Sequence, residues 1–256
     1  YRSLVRASDG RVYGYGEDLK LFDLRRPLLG GSAAQLQAAA RQAPTPVWQF
    51  DWINLARTVS GHTTLIPLPA PFTGQPLHAL LFADADQAWA CAGERAVLHY
   101  TDNRWRRETR LPEQACSSLA RTDDGALLLG YADGTLRRLH GGTVNTFGAA
   151  EGLSVGPVTA LLQHKDLLLV AGEAGLAARF GNGRFLPVRT DMAGVLEGIT
   201  GMVADANGLL WLNGSRGLVR LQVATLRSAL RNDQAIAPRL FDAVDGMPGI
   251  ALQSGP

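Results

Sequence analysis

The side chains best suited to chemistry in this chain are five histidines, two cysteines and a set of aspartates at turns. His62, His78, His99, His140 and His164 form no His-x-x-x-His pair, and no Cys-x-x-Cys accompanies them. No metal site is therefore legible. No Gly-x-Ser-x-Gly elbow marks a hydrolase nucleophile. Asp9, Asp124 and Asp205 stand at turns, where aspartate bonds to its own nearby backbone. His99 and His140 fall near the ends of neighbouring strands and read as surface histidines. Cys91 and Cys116 lack metal-ligand spacing. Buried free thiols are the expectation for them, with a single bridge in an oxidising compartment left open. RWRRETR (104–110) alternates as an outer strand does, and reads as a solvated face rather than a nucleic-acid patch. This inventory calls for no catalytic residue, metal or cofactor, and points to binding.

Whatever those side chains do, a turn-rich scaffold must hold them. Of 256 residues 29 are glycine and 46% are apolar, the profile of a well-packed protein with many tight turns. A formal charge of +2 is too small to recruit nucleic acid or an anionic membrane. No apolar run approaches the ~18–20 residues of a membrane span. Tyr1 begins in mid-pattern with no leader, so a trimmed piece of a longer protein is expected.

Residues 205–221 read DANGLLWLNGSRGLVRL: a turn, an apolar run, a glycine turn and a second run. DLLLVAGEAGLAARF (166–180) matches it at a shift of 42 and DGALLLGYADGTLRR (124–138) at a shift of 83. QAWACAGERAVLHY (87–100) and DGRVYGYGEDLKLF (9–22) match further upstream. PVWQFDWINLARTVSGHTTLIPLP (46–69) is a degenerate copy. A period near 40 residues, carried by short strands and glycine turns, predicts an all-β chain folded as a β-propeller of four-stranded blades. In one unit, strand a is VTALLQ (158–163), b LLLVAG (167–172), c LAARF (176–180) and d RFLPVR (184–189). The repeats run roughly over 1–42, 43–76, 77–115, 116–157, 158–198 and 199–249, with a further blade beginning at 250–256. About six repeats are thus covered, and an incomplete ring of seven or more blades is expected.

Two stretches break this rhythm. Residues about 32–42 and 222–233 are rich in alanine and leucine at helical spacing. The phrase TFGAAEGL (146–153) recurs as LFDAVDGM (240–247) at a shift of 94 rather than 83. The excess of 11 residues is close to the length of the second stretch, which places that helix between strands c and d.

NGLLWLNGSRGLVRL, with F-D-A-V-D-G-M-P-G (241–249), resembles the two-component regulator propeller repeat. The similarity covers residues 77–256 well and 1–76 loosely; Leu128 and Leu169 replace the repeat's tryptophan. The resemblance implies an extracytoplasmic, periplasmic sensor domain of a two-component or related transmembrane signalling protein. It implies a full-length histidine kinase or diguanylate cyclase that forms a homodimer and meets the membrane through segments outside these residues. The expected partner is a small molecule, an oligosaccharide or a protein, not nucleic acid. A propeller enzyme of the streptogramin-lyase type and a plain protein-interaction propeller are the alternatives. The fragment itself is not expected to be an enzyme, since no histidine falls in a b–c turn.

In a propeller the b–c and d–a loops gather on one face around the central channel. The variable side chains there are Tyr15, Glu17, Glu94, Arg95, Tyr131, Asp133, Glu173, Asn213, Ser215 and Arg216, the candidate ligand-binding set. Trp211 reads as packing between blades.

Overall fold

A computed structural model of the chain describes residues 3–6, 12–15, 21–23, 30–31, 47–50, 55–59, 62–75, 77–82 and 87–246. The strands before residue 62, with Thr63 and Phe82, are described by backbone alone. Glu17, the helix expected near 32–42 and the blade expected to begin at 250–256 lie outside these residues.

Short runs of β-formers between glycine turns can pair with nothing nearer than the next run, and the chain folds into six antiparallel meanders. The first has β1 (Ser3–Arg6), β2 (Val12–Tyr15), β3 (Leu21–Asp23) and β4 (Gly30–Gly31). The second has three strands, β5 (Val47–Phe50), β6 (Leu55–Val59) and β7 (His62–Ile66). The third has β8 (Leu77–Phe82), β9 (Ala88–Ala92), β10 (Ala96–Thr101) and β11 (Arg104–Arg107). The fourth has β12 (Cys116–Arg121), β13 (Leu127–Tyr131), β14 (Leu136–His140) and β15 (Thr143–Phe147). The fifth has β16 (Val158–His164), β17 (Leu167–Gly172), β18 (Gly175–Phe180) and β19 (Leu186–Pro187). The sixth has β20 (Gly201–Ala204), β21 (Leu209–Gly214), β22 (Gly217–Gln222) and β23 (Arg239–Phe241).

The first strands of successive sheets lie side by side: β8 against β12, β12 against β16, β16 against β20, and β20 against β1. Radial four-stranded blades around inner strands are a β-propeller. The ring is not continuous at the degenerate second sheet, which has no comparably close inner-strand neighbour among the described strands.

The b strands of the fourth and fifth blades are covered on both faces and are apolar throughout. Leu167–Gly172 is buried at every residue, and so is Leu127–Tyr131. Alternate residues of one b strand serve different interfaces. Leu167, Leu169 and Ala171 join a core with Leu210 and Leu212 of the sixth sheet. Leu168 and Val170 join one with Leu128 and Leu136 of the fourth. Trp211 takes the side of β21 away from the fifth sheet, 7% exposed and 5.9 Å from Phe241, in a small core with Val203 and Leu218. It is a packing residue, but the partners described for it are those of its own blade rather than of a neighbour.

Hydroxyls tie neighbouring blades together. Ser117 donates to the carbonyl of Val158, and Thr159, one repeat on, donates to that of Ile199. Both sit where the a strand is bulged against b, between Cys116 and Ser118 and between Val158 and Ala160. The bulge aims the extra side chain out of its own sheet. Blades approach so closely there that a Cβ on Gly130 would meet Ser118 Oγ at 2.2 Å and Val158 Cγ1 at 2.4 Å.

Two expectations are corrected. Cys91 and Cys116 are not free thiols but a disulfide, with Cα atoms 5.4 Å apart. A sequence separation of 25 hides the pairing; the packing of β9 against β12 creates it. Strand d of the fifth blade is Leu186–Pro187, not 184–189. The Phe185 N–H is drawn off to the Glu151 carbonyl at 2.9 Å, and Pro187 has no N–H to extend the ladder.

Helix α1 (Val223–Arg231) stands between β22 and β23, as the 11-residue excess predicts. Val223, Leu226 and Ala229, spaced by three, are its buried stripe over the fifth–sixth core. Arg227 fixes it to the a–b turn of the fifth blade through two bonds to Asp166, of 3.1 and 2.5 Å.

Candidate functional site

Tight b–c turns require glycine or a short polar residue, which leaves one or two positions per turn free to vary. In the fourth to sixth blades each turn is held from the side by the loop that enters its blade. The Glu173 N–H donates to Pro157 O at 3.2 Å and the Ala174 N–H to Val155 O at 2.8 Å. Ser215 Oγ donates to Glu197 O at 3.0 Å, and Gln114 Nε2 to Asp133 Oδ2 at 2.5 Å. The face is thus an alternation of b–c turns and d–a loops, locked by backbone carbonyls.

The ten candidates divide on this frame. Glu94, Arg95, Glu173 and Arg216 are exposed at turn tips. Arg216 is oriented by a 2.8 Å bond from Nη1 to Ala193 O. Ser215 is half-buried against Glu197. Asp133 accepts from the Thr135 N–H at 2.9 Å and the Thr135 hydroxyl at 2.7 Å. Partial burial alone would raise its pKa, but the bonds from Thr135 and Gln114 outweigh it and hold the carboxyl below its ordinary value. Tyr131 and Asn213 do not reach the surface, with 0% and 1% exposure. Asn213 Nδ2 donates to Thr200 Oγ1 at 3.2 Å, bracing the b strand to the loop before β20. Burial pushes the Tyr131 phenol up, and the Arg137 guanidinium lies 4.5 Å over its ring. Tyr15 ends β2, described by backbone alone, and Glu17 is outside the described residues.

Reading one turn per repeat misses what the d–a loops bring. Gln114 joins Asp133 to Arg137, whose Nη2 donates to Gln114 Oε1 at 3.1 Å. Glu197 is exposed beside Ser215. These loops differ in length and carry no periodic signature. His78 is exposed at the bulge of β8, where Ser117 and Thr159 stand in the next two blades. Its 39-residue spacing from Ser117 was a readable signal.

The face can offer carboxylates at Glu94, Asp133, Glu173 and Glu197, and guanidiniums at Arg95 and Arg216. That suits a polar ligand held by hydrogen bonds. His99, expected at the surface, is half-buried and stacks flat on Trp89, ring centroids 3.8 Å apart. Cross-strand pairing on one face brings the two rings together. Burial lowers the His99 pKa, and its Nε2 has no hydrogen-bond partner. Among the described residues no three His, Cys, Asp or Glu side chains gather as metal ligands do. No described helix is long and apolar enough to cross a membrane.

No family model and no curated protein sequence matches the chain. Solved structures do match in fold. One is the extracellular domain assigned to the hybrid two-component system BT3049 of B. thetaiotaomicron, with a TM-score of 0.67 and 12% identity over 99% of this chain. This chain spans 36% of that domain's length. A second is a streptogramin B lyase, TM-score 0.64 and 13% identity, covering 94% of this chain and 83% of that one. A third is the WD40 propeller of Doa1, TM-score 0.59 and 15% identity, covering 85% and 77%. At such identities the likeness is one of fold, and the fold is a β-propeller.

Proposed function

We propose that this propeller is an extracytoplasmic sensor domain of a two-component or related transmembrane signalling protein. It reads a small molecule, an oligosaccharide or a protein on its b–c loop face, or responds through dimerisation. In the full-length protein a membrane span follows, and then a histidine kinase or diguanylate cyclase module. The observation that carries the reading is the fold match to a two-component extracellular domain along 99% of this chain. The repeat phrases point the same way. The Cys91–Cys116 bridge supports an oxidising compartment such as the periplasm. The test is the full-length gene, which is expected to encode a membrane helix and an output module after the propeller. A gene with no membrane span would sink the proposal.

The streptogramin-lyase match favours a second reading, a propeller lyase. The b–c turns carry no histidine to act as base, and His99 is committed to its stack on Trp89. Turnover of a streptogramin B by this chain, lost on changing one histidine to alanine, would establish that reading instead.

A further inference from the structure

Cross-strand register puts Arg220 of β22 directly opposite Arg239 of β23. Like charges in that position repel, and a sheet that keeps them supplies a counter-charge. Six other arginines in the described blades have one: Arg106, Arg107, Arg110, Arg138, Arg189 and Arg227 each meet a carboxylate within 4 Å. Among the described residues, Arg220 and Arg239 meet none.

Their guanidiniums are nevertheless held in place. Arg239 lies 4.7 Å and Arg220 5.6 Å from the centroid of the same Phe241 ring, and Arg220 also 5.7 Å from Trp211. Stacking orients the two cations without neutralising them. Both arginines line a half-open cavity of about 180 Å³, whose wall also carries Gln222, Thr225 and the aliphatic side chains of Leu209, Leu226 and Ile236. That is room for about six waters or one small anion. It opens at the a–b end of the sixth blade, away from the b–c turns.

We infer that this cavity is a binding site for a small oxyanion-bearing ligand, a phosphate or carboxylate, clamped between the Arg220 and Arg239 guanidiniums. Planar guanidinium forks match the geometry of such anions. Gln222 and Thr225 supply polar groups at the cavity wall. The site is separate from the b–c loop face, and the inference stands whether or not the propeller is a sensor.

The 256-residue chain is titrated with inorganic phosphate and, separately, with citrate, at an ionic strength held constant with sodium chloride. Calorimetry and the melting temperature are followed. A saturable rise in melting temperature with either anion is expected, and the responding anion tells a phosphoryl from a carboxylate ligand. Arg239→Gln, at an exposed position, weakens that binding at least tenfold, while Arg104→Gln leaves it unchanged. In dilute, oxyanion-free buffer Arg239→Gln also melts higher than the wild type, because it removes the repulsion. Failure of both anions to bind beyond chloride, or equal binding by Arg239→Gln and wild type, overturns the inference.

Discussion

Gly130 shows how a single absent atom fixes the spacing of two blades. A Cβ there would lie 2.2 Å from Ser118 Oγ and 2.4 Å from Val158 Cγ1, so Gly130→Ala must push the fourth and fifth blades apart. A loss of about 1–3 kcal/mol is expected in urea denaturation. Thr159 tests the inter-blade hydroxyls from the other direction. Thr159→Val keeps the shape and deletes the donor to Ile199, for a loss of about 1 kcal/mol that Thr159→Ser restores. Glu108 gives a pH signature. Bonds from Arg110, of 2.7 and 2.6 Å, hold its carboxyl below the ordinary value. A depressed folded pKa contributes stability that is present above the unfolded value, about 4.3, and is lost as pH falls through the folded one. Urea midpoints are therefore expected to drop from near that pH downward. Glu108→Gln removes about 1 kcal/mol at neutral pH, since Arg110 is half-exposed, and flattens the acid limb.

Among the elements, the repeats with intact glycine turns were legible, and those whose ends depend on a neighbour were not. Strands b and c of the fifth blade fall where DLLLVAGEAGLAARF puts them, because hairpin register is set by local turn chemistry. Strand d shrank because the previous blade's Glu151 captures the Phe185 N–H, a contact that no local pattern encodes. Helix α1 was legible from its alanine- and leucine-rich helical spacing and from an 11-residue length difference. The disulfide was not, since residues 91 and 116 meet through blade packing across a 25-residue gap. Closing a loop of that size removes enough chain entropy to stabilise the fold by about 3.5 kcal/mol. Reduction, or the paired change Cys91→Ala with Cys116→Ala, is expected to lower the unfolding free energy by about that amount. An unchanged urea midpoint on reduction would show that the bridge adds nothing to the fold.

For the whole molecule, the propeller was readable because its period is global: the third to sixth blades repeat one solution for burying a b strand on both faces. The weakest copy, 46–69, is also where the ring of inner strands is not continuous. The loop face was half legible. One turn per repeat gave Glu94, Arg95, Asp133, Glu173, Ser215 and Arg216 correctly as turn residues, while the aperiodic d–a loops concealed Gln114 and Glu197. Tyr131 and Asn213 occupy the right ends of their strands but point inward, a choice made by packing that periodicity does not specify. The sensor reading requires this whole body to stand outside the cytoplasm. Its most direct test is a pair of reporters inserted after residue 256 of the full-length gene, expressed in a bacterium with its native leader. Active alkaline phosphatase and dark green fluorescent protein at that junction are the predicted result. Fluorescent protein with inactive phosphatase would place the propeller in the cytoplasm and contradict the account.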